Sequence, residues 1–260
     1  MNSASRKTLF VVSAVGFLAL YLWGLHGLPG FGHYPGPYGD IINALSVYER
    51  HTTDAVTAVN FDYRGFDTLG EEFILFASVM GANLLLRKQK DDQEEDPPLD
   101  QAEDRVIPPT SDAVRMAGLL LVMPIVVFGI YTVTHGQLTP GGGFQGGVIL
   151  ASMPLILYLC GDYTAFKHVT SHLLAEVGEA IGAGGYAIIG LVSFVFGFKY
   201  LQNFIPLGQT GDVFSGGTIA LISALTGLEV TAGIVLLMIS FFRQTLVYRK
   251  PGEESRRRPE

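Results

Sequence analysis

Six stretches of about twenty mostly apolar residues dominate this chain, and such a stretch crosses a bilayer as a helix. They are Thr8–Leu28, Thr68–Leu86, Ala113–Thr134, Gly142–Cys160, Ala180–Phe198 and Leu221–Phe242. The spacing predicts an all-α integral membrane protein with about six transmembrane helices. The last apolar run begins at Val213 and is too long for one untilted span. Gly216 and Gly217 are predicted to break it, leaving Gly211–Ala220 as an outer loop or re-entrant turn. Arg6 and Lys7 precede the first run as in a signal peptide, but that run continues to Leu28 with no small-residue cleavage site, so a retained helix is expected.

Composition supports the membrane reading. Charged residues make up 16% of the 260, against about 25% in a typical soluble domain, and the mean hydropathy is +0.35. The net charge of −7 is concentrated in one linker and gives no sign of a nucleic-acid partner. The single cysteine, Cys160, excludes an intrachain disulfide and a cluster held by this chain alone.

Basic residues set the expected orientation. With the N-terminus in the cytoplasm, all but Arg50, Arg64 and Lys199 of the 17 lysines and arginines fall on the inner side. Both termini are then cytoplasmic. Residues 88–112 are rich in Asp, Glu and Pro and read as an acidic cytoplasmic linker. It separates a two-helix module, residues 1–87, from a four-helix module, residues 113–247, and residues 248–260 form a charged tail.

Between the third and fourth spans lies Thr139-Pro140-Gly141-Gly142-Gly143-Phe144-Gln145-Gly146-Gly147. Irregular backbone at membrane depth survives only when packed in protein or lining a wet cavity. Gly141, Gly143 and Gly146 fit a G-x-G-x-x-G pattern, but a dinucleotide site needs a preceding strand and a βαβ unit, which membrane spans cannot supply. Two readings stand: a tight turn for helix and subunit packing, or glycines lining a hydrated ion path.

Several acids fall at or near membrane depth. The apolar run Phe73–Leu86 is only about 21 Å long at 1.5 Å per residue, so some of Asp67, Glu71 and Glu72 must enter the membrane zone. Asp67 and Glu71 share a helix face and either cap the helix or handle ions. Glu229 lies inside the last span with no basic residue near it in sequence, and Thr226 and Thr231 offer hydroxyls. It is a candidate for proton or cation relay. Glu179, at the entrance to the fifth span, is a further candidate, as is His135 after the third. His168, His172 and Glu176 read as the polar face of an interfacial helix rather than as metal ligands. Gly178 and Gly182 suit close helix packing, and Pro124 and Pro154 are expected to kink their spans. No nucleophile–base pair appears, and no cofactor or metal site is expected.

The segment His135–Gly147 resembles the signature of the B subunit of Mrp-type multisubunit cation/proton antiporters and its relative in membrane-bound hydrogenases. The resemblance spans about Ser111–Val247, and the Glu229 position matches a place where that family tends to carry an acid. Asn60–Glu71 resembles the tail of the large A subunit, or the small E subunit of the hydrogenases, with Tyr63 where Phe is usual. This implies a non-catalytic subunit in the cell membrane that works with other subunits, including large complex I-like proton channels. The assembly would exchange Na⁺ or another monovalent cation for protons. The alternative it implies is a subunit of a hydrogenase-like or complex I-related energy-converting assembly.

Overall fold

The computed structural model describes residues 3–28, 30, 32, 36–86, 110–161 and 163–245. All but the last three residues of the expected linker, and the whole of the expected tail, lie outside the described residues. The chain divides into two units, residues 1–43 and 44–260. Helices are the regular structure throughout the described residues.

The first unit holds α1, Ser3–His26, an apolar helix that closes with Gly27 and Leu28 donating back to Gly24 and Leu25. Helix α2, Tyr38–Arg50, crosses the boundary between the units.

The second unit begins with a part the apolar pattern did not disclose. A short helix α3, Ala55–Ala58, is capped by Asp54, which accepts from the Val56 amide at 3.1 Å and the Thr57 hydroxyl at 2.7 Å. It runs into a single π-helical turn, Val59–Tyr63. That turn aims Asp62 at Arg50, with Nε 2.5 Å from Oδ1, while the Arg50 guanidinium lies over the Tyr63 ring. Burial, then the hydrogen bond to Glu49, push the Tyr63 phenol up to about 12.

The remaining helices are α4, Gly65–Leu86; α5, Asp112–Thr134; α6, Gly143–Cys160; α7, Tyr163–Val169; α8, His172–Val195; and α9, Thr218–Thr245. With α1, the five longest of these give six helices long and apolar enough to cross a membrane. Pro124 and Pro154 fall inside α5 and α6.

The fifth and sixth spans start earlier than the sequence reading has them, as does the second, at Gly65 rather than Thr68. The fifth span starts at His172 rather than Ala180, because Ser171 caps it by accepting from the Leu174 amide at 3.4 Å. Its acids therefore lie within the helix rather than ahead of it, and His168 and His172 fall on different helices. The sixth span starts at Thr218 rather than Leu221. Gly216 and Gly217 do break the run, at φ +81° and +60°, but Asn203 Oδ1 then accepts the Thr218 amide at 3.0 Å and starts the helix at once.

Helix α9 is the centre of the unit and packs against α4, α6 and α8. It runs parallel to α4, since Ser240 bonds to Asn83 near their ends and Glu229 faces Glu72 near their middles. It runs antiparallel to α8, which meets Ala232, Glu229 and Leu225 through Gly178, Gly182 and Gly185 in turn. Two buried apolar clusters result. One joins Phe61, Leu69, Tyr186, Ile189, Leu201, Ile219 and Ile222 near the start of α9. The other joins Val79, Ala151, Phe166, Ala175, Val235, Leu236 and Ile239 toward its end.

Candidate functional site

Between those two clusters lies a layer of carboxyl groups. Glu72 on α4, Glu179 on α8 and Glu229 on α9 are 3%, 1% and 0% exposed. Glu72 and Glu229 face one another, Glu72 also lies against the Thr226 side chain, and Glu179 acts on Glu229 electrostatically. Both oxygens of Glu229, Oε2 of Glu72, Oε1 of Glu179 and the hydroxyl of Thr226 have no hydrogen-bond partner. Helices α4, α8 and α9 carry no lysine or arginine from Gly65 to Leu86, His172 to Val195 and Thr218 to Phe242. Carboxylates in such a place are costly unless they share protons or hold a cation.

Local sequence explains the placement. Gly182 has no side chain, so the backbone of α8 comes directly against α9; a Cβ there would stand 2.7 Å from the Glu229 amide nitrogen. Glu229 lies about 16 Å into α9 at 1.5 Å per residue, near the middle of that span. On α4, Gly65, Thr68, Leu69, Glu72 and Val79 form the buried stripe, and Glu72 is the member of the acid pair that faces inward.

The glycine run packs inside the chain. Gly143 meets α9 at the Ser223 carbonyl and the Gly227 amide, Gly146 meets α5 at Val133 and Gly129, and Gly147 meets Val230. Gly141 and Gly142 take φ +151° and +128°, and Gly142 forms the entry to α6. Thr139 caps back to the His135 carbonyl at 3.3 Å, whereas Pro140 and Phe144 are exposed. The loop is clamped from outside, with the Thr53 and Asp54 amides donating to the Gln137 carbonyl and Gln137 Nε2 donating to Val213.

The structure separates the remaining sequence candidates from the layer. Asp67 is exposed and paired with Arg64, and Glu71 points away from α9 on the exposed face of α4. His135 caps α5, stacked on Tyr131 with centroids 4.3 Å apart, and belongs to the glycine loop. Thr231 donates to Gly227 at 2.6 Å and Gly147 at 3.2 Å, so its hydroxyl serves the α6–α9 contact. Glu72 was missed as the inward acid: α4 is apolar on both faces after Phe73, which hides its phase. The stripe Leu69-Glu72-Val79 is the signal that carries it.

Known proteins place these features. Residues 113–236 match the family described as a domain related to the MnhB subunit of Na⁺/H⁺ antiporter. An uncharacterised protein of Methanocaldococcus jannaschii is 32% identical over 248 residues, covering 88% of this chain and 90% of its own. The B subunit of the Na⁺/H⁺ antiporter of Bacillus subtilis is 36% identical over 97 residues, 36% of this chain and 66% of that protein. A chain in the membrane-bound sulfane sulfur reductase, an archaeal respiratory membrane complex, superposes with TM-score 0.65 at 29% identity, covering 91% of this chain and 97% of that one. The glycine loop, the acid-bearing last helix and these likenesses agree, and the chain belongs to the MnhB-related family of multi-pass membrane proteins.

Proposed function

We propose that this chain is a membrane subunit of a multisubunit assembly exchanging a monovalent cation, Na⁺, for protons. It contributes helix packing through the glycine loop and α9, and it contributes the Glu72–Glu229 pair to the ion path. It is a transporter subunit without bond-making chemistry of its own. The observation that carries the reading is two buried carboxyls facing each other on membrane spans, Gly65–Leu86 and Thr218–Phe242, that carry no lysine or arginine. Paired buried acids destabilise unless a proton or cation joins them, so the arrangement favours a role in holding one. Both chain termini lie on the cytoplasmic side, as the distribution of lysine and arginine supports.

The test is Glu229→Gln in the assembled complex, with cation-driven proton exchange followed in everted vesicles and assembly followed on blue-native gels. Exchange lost with assembly intact supports the reading. Normal exchange with normal assembly removes Glu229, and with it the site, from the ion path.

One observation favours a second reading, in which the parent complex is redox-linked. Chains of both kinds of complex superpose on over 90% of this chain, but the match spans 97% of the reductase-complex chain and only 26% of the Mrp-complex chain. Purifying the native complex decides between them: redox subunits co-purifying in stoichiometric amount select the second, antiporter subunits alone the first.

A further inference from the structure

Apolar side chains border the carboxyl layer along α9 on both sides. Toward the helix start lie Leu69, Tyr186 and Ile222, and the Tyr186 hydroxyl donates to the Gly65 carbonyl at 2.9 Å. Toward the helix end, Val79 and Leu236 are wholly buried across the α4–α9 seam, separating the layer from the Asn83–Ser240 pair beyond.

A polar line leaves the layer sideways, along α8. Glu179 Oε1 has no hydrogen-bond partner and lies 3.4 Å from where a Cβ on Gly233 would stand, nearer the end of α9 than Glu229. Glu176, three residues before Glu179 on the same helix, is exposed, and its Oε2 is 3.3 Å from Nδ1 of His172, the first residue of α8. Because α8 runs antiparallel to α9, this line descends toward the membrane face at which α9 ends. Glu176 is about 6 Å from the start of α8, at interfacial depth.

An acid cluster alone does not make a site. The Thr226 hydroxyl supplies an independent sign, being 1% exposed, set against Glu72 and unpartnered. A hydroxyl and several carboxyl oxygens left unsatisfied in a dry interior are costly. A proton held between Glu72 and Glu229 converts one acceptor into a donor and removes the repulsion of two like charges.

We infer that Glu179, Glu176 and His172 form a proton lead joining the buried Glu72–Glu229 pair to the membrane face where α9 ends. This rests on the reading of the pair as part of the ion path. Glu179 gives its proton to Glu229 and becomes a carboxylate. Glu176 or the His172 imidazolium returns a proton to Glu179, and water at the surface replaces theirs. The reverse sequence releases protons to the same face.

The lead is tested in vesicles carrying the whole complex, with assembly verified on blue-native gels. Glu179→Gln is expected to slow exchange about a hundredfold, the lower range for a placed proton-transfer group, with Glu179→Asp restoring part of the rate. The double variant Glu176→Gln/His172→Gln is expected to slow exchange, and free imidazole is expected to restore it, because a diffusible carrier reaches an exposed entrance. An unchanged rate in either variant overturns the lead, as does a loss in the double variant that imidazole leaves uncorrected. If Glu229→Gln abolishes exchange while both lead variants keep it, the lead falls and the ion-path reading stands. If Glu229→Gln keeps exchange, the ion-path reading itself falls.

Discussion

Glu72 and Glu229 face each other across two parallel helices at the 157-residue offset that also joins Asn83 to Ser240. The shared offset means α4 and α9 hold one register from mid-membrane to their far ends. A buried acid pair and a partly buried hydrogen bond are thus two points on one seam, and each can be perturbed separately.

The acid pair separates inward from outward carboxylates. Glu72→Gln is expected to reduce exchange about a hundredfold, as a placed proton-transfer group does, while Glu71→Gln changes it far less. Initial rates of cation-driven pH change in vesicles give the comparison. Equal losses in both variants would count against the inward-facing assignment.

The far end of the seam calls for a double-mutant cycle. Asn83→Ala and Ser240→Ala remove the same side-chain hydrogen bond between α4 and α9. Their coupling energy is expected near 0.6 kcal/mol, with about 1.7 kcal/mol as the ceiling known for such bonds in membranes. Unfolding in mixed detergent measures it; full additivity would mean that the bond does not hold the seam.

Gly182 and Gly184 give a contrast within one helix. A Cβ at Gly182 would stand 2.5 Å from Glu229 Cβ, whereas nothing lies within 4 Å of one at Gly184. Gly182→Ala is expected to cost about 1–3 kcal/mol, as overpacking does. Gly184→Ala is expected to be neutral, or slightly stabilising through helix propensity. Thermal unfolding of the detergent-solubilised protein reads both.

Asn203 ties the loop before α9 to its first turn. Its Nδ2 donates to the Gly216 carbonyl at 2.8 Å, and its Oδ1 accepts the Thr218 amide at 3.0 Å. Asn203→Ala is expected to cost about 1–2 kcal/mol, the range for a lost helix cap. Faster hydrogen exchange at the start of α9, with the Asn83–Ser240 end unaffected, locates the loss.

The spans were legible because length and apolarity are properties of the sequence itself. Glu229 was legible for the same reason, as a lone acid in a long apolar run. The start of α8 was not, because His172, Glu176 and Glu179 make its first turns look interfacial. Only tertiary packing shows that Glu179 turns inward against α9 while Glu176 turns out. The choice between Glu71 and Glu72 depends on helical phase, and α4 has apolar residues all round after Phe73. The π-helical turn at Val59–Tyr63 has no periodic signature; of its partners, Arg50 precedes Asp62 by 12 residues and Asn203 lies 141 residues beyond it.

The carboxyl layer is assembled from both sides of the segment joining α4 to α5. The family-matched stretch, residues 113–236, carries Glu179 and Glu229 but not Glu72. Severing the chain between Leu86 and Asp112 would divide that constellation between two polypeptides, neither of which owns it. Co-expressed fragments would then have to find each other in the bilayer before any proton could be shared, making reassociation of the halves a switch for activity.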